Sequence, residues 1–269
     1  MDTKDAKHEA MIEGFWRDYF IEGPPQSQIS KQKFFKLLPA EHRCKFCFAP
    51  FDGVAAPIVK NVLKTQQSRY NPHYCNTCDT FSKKFQGGAN VPVTILFADM
   101  RGSTTIAENM DPKEFSKLVN RFYITATRVL TNSGAMIEKL VGDEVTAIFS
   151  RGLAGEDYIA KAIRSAEELL RETGHGGKYQ PWAPIGIGIN SGETYLGSVG
   201  NPDGMIEVAA LGDVPNTASR LTSMAGQGEI MVSETTILDA KRSTEGLEKR
   251  TMALKGKEGE ITAYVIDCN

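Results

Sequence analysis

Long apolar runs are missing from this chain. None of its 269 residues lies in a stretch approaching the roughly 18 consecutive apolar positions that a membrane-spanning helix needs. The polar opening at positions 1–8 leads to no apolar segment of a secretory leader. A cytoplasmic protein with no membrane partner is expected. Charge of one sign is also missing: 31 Lys and Arg balance 33 Asp and Glu, a formal charge of -2. That gives no global reason to coat a polyanion, and no nucleic-acid partner is expected. Cysteine is scarce, and five are too few for a disulfide framework in a chain this long. Repeats and low-complexity blocks are absent, and 41% hydrophobic with 24% charged residues excludes disordered, collagen-like and coiled-coil classes.

What is present falls into three stretches. Residues 1–40 read as a helical arm in which Met11, Ile12, Phe15, Trp16, Tyr19 and Phe20 draw one apolar stripe, stopped by Gly23-Pro24-Pro25. Ser30 is placed to cap a second short helix with Phe34, Phe35, Leu37 and Leu38, ended by Pro39. The stripe's polar side mixes Glu13, Arg17, Asp18 and Glu22, so packing on the protein's own body or on a second copy is expected, not on a lipid surface. Residues 41–88 are rich in Cys, Asn, Pro and aromatics and end in Gln86-Gly87-Gly88-Ala89, which places a domain boundary there.

Residues 89–269 are regular. An apolar run at 91–98 predicts a buried strand, and Asp111-Pro112-Lys113-Glu114 predicts a capping box opening a long helix that ends at Gly134. Runs at 135–140 and 144–149 flank Val141-Gly142-Asp143 as a hairpin. A helix at 157–172, strands at 185–190 and 207–211, a helix at 214–224 and a strand at 229–232 follow. A short helix at 234–240 and strands at 250–254 and 261–266 close the chain. This order predicts an α+β sandwich of ferredoxin-like style with a largely antiparallel sheet.

Four cysteines form two pairs, Cys44-x2-Cys47 and Cys75-x2-Cys78, with 27 residues between them. Each knuckle turns two sulfurs to one side, so the pattern predicts one structural zinc per chain in a four-thiolate site. With every position filled by Cys the ion would fold 41–84 and not catalyse. His42 and His73 are near enough to substitute as ligands but read as surface histidines, and Cys268 stands outside both pairs. Lys60, Lys64 and Arg69 make only a thin basic patch for a nucleic acid.

Three constellations could carry chemistry. In Phe97-Ala98-Asp99-Met100-Arg101-Gly102-Ser103-Thr104 a buried strand ends in a carboxylate and runs into a turn opening a helix. Helix N-terminal amides bind phosphate, and a neighbouring Asp can hold the accompanying hard cation; helix capping is the plainer role for Asp99. At the hairpin tip, Lys139-Leu140-Val141-Gly142-Asp143-Glu144 supplies a second carboxylate beside a glycine. In Leu211-Gly212-Asp213-Val214-Pro215-Asn216-Thr217-Ala218-Ser219-Arg220-Leu221, Asp213 and Pro215 start a helix that shows Asn216 and Arg220 one turn apart on one face. An amide and a guanidinium so placed suit an anionic, phosphorus-centred transition state, or simply a solvated face. Gly186-x-Gly188 fails the spacing of a dinucleotide fingerprint.

Together these motifs resemble the class III nucleotidyl cyclases, the adenylyl and guanylyl cyclase family. The resemblance spans residues 91–266 and rests on F-A-D-M-R-G-S-T, E-K-L-V-G-D-E and G-D-V-P-N-T-A-S-R-L in that order. It implies two Mg2+ or Mn2+ per active site, held by Asp99 and Asp143, and cyclisation of a nucleoside triphosphate to its 3′,5′-cyclic monophosphate with release of pyrophosphate. It implies phosphate contacts at Gly102, Ser103 and Thr104, base reading by Lys139, a triphosphate contact at Lys255, ribose orientation by Asn216 and charge neutralisation by Arg220. It also implies a head-to-tail homodimer with two shared sites. One departure stands out. The second base-reading position, seven before the Asn, is Ala209, which offers neither donor nor acceptor unless backbone, water or Glu207 substitutes. ATP is the expected substrate, with GTP or a pyrimidine triphosphate as alternatives. A non-catalytic nucleotide-binding module is the rival reading.

Overall fold

The computed structural model describes residues 3–201, 204–253 and 260–267, with side chains for all of these but 3–5 and 252. Helices are α1 (Thr3–Ile21), α2 (Gln26–Leu37), α3 (Ala56–Val62), α4 (Asn76–Lys84), α5 (Ser103–Glu108), α6 (Pro112–Asn132), α7 (Arg151–Ala154), α8 (Tyr158–Glu172), α9 (Asp213–Met224) and α10 (Glu234–Asp239). Strands are β1 (Gly87–Met100), β2 (Met136–Val141), β3 (Glu144–Phe149), β4 (Ile185–Gly200), β5 (Ile206–Leu211), β6 (Glu229–Ser233), β7 (Glu248–Ala253) and β8 (Glu260–Asp267). The chain forms two compact units, one of Met1–Val91 with Thr194–Leu211, the other of Pro92–Glu193 with Gly212–Asn269.

In the second unit the strands run in the order β2-β3-β1-β4-β6-β8-β7. Pairing is antiparallel for β1–β3, β2–β3, β6–β8 and β7–β8 and parallel for β4–β6, which gives the expected α+β sheet. Strand alternation sorts the core into two faces. Ile230 and Val232 of β6 join Phe122, Val129, Leu169 and Leu170 of α6 and α8, whereas Met231 between them joins Leu221 of α9 and Ala225 at its C-cap. The sheet is therefore covered by helices on both sides. Gly186 and Gly188 are what let α9 lie on β4: a Cβ at Gly188 would sit 2.3 Å from the Thr222 nitrogen. Close packing is the use of that glycine pair.

The first unit holds α1 to α4, the start of β1, the end of β4, and β5. Here β4 and β5 pair antiparallel, with Gly197 opposite Ala209 and Ser198 opposite Val208. The arm packs on its own body as expected: Trp16, Tyr19 and Phe20 are buried, Phe15 stacks on Phe85 with ring centroids 4.2 Å apart, and the Trp16 indole donates to the Phe85 carbonyl at 2.8 Å.

Three local expectations are corrected. Ser30 does not cap α2, because Pro25, extended at φ -51 and ψ 144, already sets the helix entry and places Ser30 in its interior. The capping box at Asp111 is half formed. Asp111 accepts from the Lys113 amide at 2.9 Å, but Glu114 turns to the Lys117 ammonium at 2.7 Å instead of reaching back. Strand β4 runs ten residues beyond position 190, because its glycine-rich second half gains pairing from β5 that no local propensity announces.

Candidate functional site

Strand β1 delivers Asp99 to the sheet end directly opposite Glu144 of β3, and the two-residue turn between β2 and β3 sets Asp143 beside them. Gly142 occupies a left-handed conformation with φ 63, the requirement of such a turn. The Met100 amide donates to the Asp143 carbonyl at 3.3 Å, and the Tyr123 hydroxyl of α6 donates to the Gly142 carbonyl at 2.8 Å. All three carboxyl groups are half-buried. Burial pushes the Asp99 carboxyl above its ordinary range, the Arg101 guanidinium opposes the push, and the Asp143 carboxylate reinforces it. Glu144 is raised by burial and then by Asp99 and Asp143. Asp99 does not serve as a helix cap. Gly102, at φ 67, occupies that position at α5 without a side-chain bond, and Asp99 instead ion-pairs with Arg101.

Arg101 is the residue that motif reading passed over. Its guanidinium bonds Asp99 and also donates to the Thr222 carbonyl of α9 at 3.2 Å, joining the carboxylate turn to the helix that carries Asn216 and Arg220. Its signal was a cation two positions after the strand-end Asp. Glu144, the third acid of the hairpin tip, was likewise passed over. One guanidinium faces three carboxylates, and the charge of the neighbouring carboxylates adds to burial in raising Asp99 and Glu144. Excess negative charge on hard oxygen donors fits a divalent cation.

Lys139 owes its orientation to a bulge. The β2–β3 register shifts between Ile137 and Lys139, which leaves Glu138 buried and Lys139 exposed, the two 3.7 Å apart. Bulges re-aim side chains in this way. Helix α9 is fixed by Asn190, whose amide donates to the Val214 carbonyl at 3.2 Å and accepts from the Ser233 hydroxyl at 2.7 Å. On it Asn216 is exposed and Arg220 half-buried. Neither makes a hydrogen bond or ion pair with Asp99 or Asp143 among the described residues. Gly102 and Thr104 are exposed and Ser103 half-buried at the start of α5. Lys255 and Cys268 lie outside the described residues. Ala209 is buried on β5, and Glu207, two positions earlier on the same strand face, is half-buried.

The matching family model, the adenylate and guanylate cyclase catalytic domain, covers residues 87–268. This chain belongs to the class III cyclase family. It is 29% identical over 185 residues to an adenylate cyclase of Anabaena cylindrica, covering 65% of this chain and 36% of that protein. It is 31% identical over 184 residues to the terminal-differentiation specific adenylate cyclase of Dictyostelium discoideum, covering 65% of this chain and 9% of that one. Among solved structures, the guanylyl cyclase Cya2 superposes with a TM-score of 0.60 at 30% identity, over 67% of this chain and 93% of that one. The chain thus spans about a third or less of the length of these curated relatives. The cyclase match begins at residue 87, and the four-cysteine stretch precedes it.

In that preceding stretch the two knuckles meet. Cys44, Cys47, Cys75 and Cys78 are buried with sulfurs all within 4.8 Å of one another, and none is in a disulfide. Cys47 and Cys75 sulfurs are 3.6 Å apart, close to the ~3.8 Å edge of a tetrahedron with ~2.3 Å zinc–sulfur bonds. The Cys75 amide donates to the Cys44 sulfur at 3.2 Å and the Cys78 amide to the Cys75 sulfur at 3.4 Å. Hydrogen bonds with Cys44 and the other thiols raise Cys47 and Cys78 and lower Cys75, as expected of a set that shares protons until a cation replaces them. His42 is not part of it and binds Asp52 at 2.5 Å. His73 is half-buried, its Nδ and Nε atoms outside the cluster.

Proposed function

We propose that this chain is a homodimeric adenylyl cyclase that converts ATP to 3′,5′-cyclic AMP and pyrophosphate. The observation carrying the reading is the turn where Asp99, Asp143 and Glu144 crowd half-buried carboxylates at the end of β1, within a class III cyclase domain. Asp99 and Asp143 would hold two divalent cations, Mg2+ or Mn2+. When bound, these supply the positive charge that acidifies the ribose 3′-hydroxyl and neutralises the triphosphate. The 3′-oxygen attacks the α-phosphorus as its proton leaves, and the bond from that phosphorus to the bridging β-phosphate oxygen breaks. Gly102, Ser103 and Thr104 bind phosphate through the turn and first amides of α5. Asn216 orients the ribose, Arg220 neutralises charge growing on the α-phosphate, and Lys255 binds the triphosphate. Lys139 reads the base.

Two copies pair head to tail, each active site combining the aspartates of one chain with Asn216 and Arg220 of the other. Membership of residues 87–268 in the cyclase family supports this. The four free thiols suit a reducing, cytoplasmic setting and one zinc per chain. A second substrate reading is favoured by Ala209. Its methyl group cannot bond adenine, so GTP or a pyrimidine triphosphate is the alternative, with Glu207 the nearest polar group on that strand face. Incubation with ATP, GTP, CTP and UTP separately, with Mg2+ and then Mn2+, and mass spectrometry of the products beside an Asp143→Ala control tests the proposal. A cyclic product absent from the control establishes the reaction, and the preferred base identifies the substrate. No product from any triphosphate refutes it.

A further inference from the structure

Strand β5 has one edge bonded to β4 and, among the described residues, one edge that receives no strand. On that outer edge the Ile206 carbonyl and the Val208 amide face the same way, the pair that an added strand would engage. Two buried side chains from the four-cysteine stretch take them instead. The Asn71 amide donates to the Ile206 carbonyl at 2.8 Å, and the Tyr74 hydroxyl accepts from the Val208 amide at 3.0 Å. Asn71 is 0% and Tyr74 3% exposed, so neither bond is shared with solvent. The next residue along β5 is Ala209.

The segment bearing these two side chains is gripped by both knuckles. Tyr74 directly precedes Cys75, and its ring packs edge-on against Phe46, between Cys44 and Cys47, at 6.2 Å. The Lys45 amide donates to the His73 carbonyl at 2.9 Å and the Ser68 amide to the Tyr74 carbonyl at 2.8 Å. The Ser68 hydroxyl donates to Asp79 of α4 at 2.8 Å. The His73 amide donates to the Asn71 side-chain oxygen at 2.9 Å, which fixes the orientation of the Asn71 amide. A cation that locks four sulfurs together thereby locks the turn that locks β5.

We infer that Asn71 and Tyr74 are positioning residues for base selection, through which the occupied four-cysteine site fixes β5 and its residue 209. This rests on the assignment of residue 209 to the base-reading position. A buried Val208 amide without its acceptor loses a bond that costs free energy to leave unmade, so β5 loosens when the phenol is removed, although the ring remains to fill its space.

The test compares the full chain with Tyr74→Phe and Asn71→Ser, and with wild type stripped by a chelator, by hydrogen exchange and calorimetry. Calorimetry measures binding of the α,β-methylene analogues of ATP, GTP, CTP and UTP. The expected result for Tyr74→Phe is one zinc per chain retained, exchange across 206–211 about tenfold faster, protection across 136–149 unchanged, and the ratio of Kd values between best and worst base reduced about fivefold or more. Chelated wild type shows the same faster exchange in 206–211. Unchanged exchange there in both variants and in the chelated protein overturns the inference. Faster exchange with an unchanged Kd ratio overturns it too, leaving a structural brace only. If no analogue binds wild type, the nucleotide reading itself fails and base selection fails with it, whereas the exchange arm still reports whether the brace exists.

Discussion

The two units of this chain are held together by different physics. The second buries a continuous apolar core, from Leu96 and Ala98 on β1 through Phe122, Leu130, Phe149 and Ile163 to Ile230 and Val232 on β6. Burial at about 25 cal/mol per Å2 of apolar surface carries a unit of that kind without help. The first has two short helices beside the longer α1 and α2, two knuckles and a cluster of rings: Phe15, Trp16, Tyr19, Phe46, Phe81 and Phe85. Its four buried sulfurs can all be thiolates only where a cation takes their charge. The lesson is that one unit's fold is specified by pattern and the other's by a few contacts around a four-cysteine cluster.

The largest effect should come from breaking the ion. Cys47→Ser, or chelation, removes a binding free energy on the scale of about 10–16 kcal/mol for structural zinc. The expected outcome is proteolysis and fast exchange confined to residues 41–84 and 206–211, with α6, α8 and their strands still protected. Loss of both units together would show that the comparison is false. Next in size, Asp143→Ala should lower cyclisation by on the order of 10³-fold or more with the melting temperature nearly unchanged, and Arg220→Ala by about 10²–10³-fold. A fall in stability that accounts for the lost activity would move either residue out of the chemistry.

Gly188→Ala sharpens the contrast within the second unit. Its methyl group meets the Thr222 nitrogen, the Ala218 carbonyl and the Thr222 hydroxyl at 2.3–2.4 Å, so α9 must shift. A cost of about 1–3 kcal/mol is expected, with activity falling further than stability because α9 carries Asn216 and Arg220. Urea titration beside steady-state rates separates the two. The smallest effect concerns pH. The folded state holds the Glu144 proton more tightly than the unfolded chain does, because burial and then Asp99 and Asp143 raise its carboxyl. Its contribution to stability is therefore present below the ordinary carboxylate range and is lost as pH rises through the raised value. Without added Mg2+, Glu144→Gln should slightly flatten that part of the melting-temperature profile. Addition of Mg2+ to wild type should reverse the loss. A profile identical in wild type and Glu144→Gln would contradict the electrostatic account of the carboxylate turn.

Legibility followed the same division. The β2–β3 hairpin and helices α6, α8 and α9 were readable because each is amphipathic on a single period and bounded by Pro, Gly or Asp, so local and global preferences agree. The carboxylate turn was readable from Asp99, where a buried strand runs toward Gly102, and from Asp143 beside Gly142 at the hairpin tip. Arg101 was not, since a cation two positions after an aspartate has no meaning until the turn folds it back. Helices α3 and α4 were hidden by a composition in which cysteine geometry overrides propensity, and the register shift between Ile137 and Lys139 was hidden because it depends on how β2 pairs with β3.

By itself the sequence determined the cyclase family, the α+β order of its elements and the two Cys-x2-Cys pairs, because these depend on residue type and spacing. Only the tertiary structure decided that the knuckles converge on one point, that Arg101 spans Asp99 and α9, and that Asn71 and Tyr74 close the open edge of β5. Those contacts join residues up to 135 positions apart. A hydrogen bond across that separation leaves no periodicity in the chain, and it exists only once the intervening segments have packed.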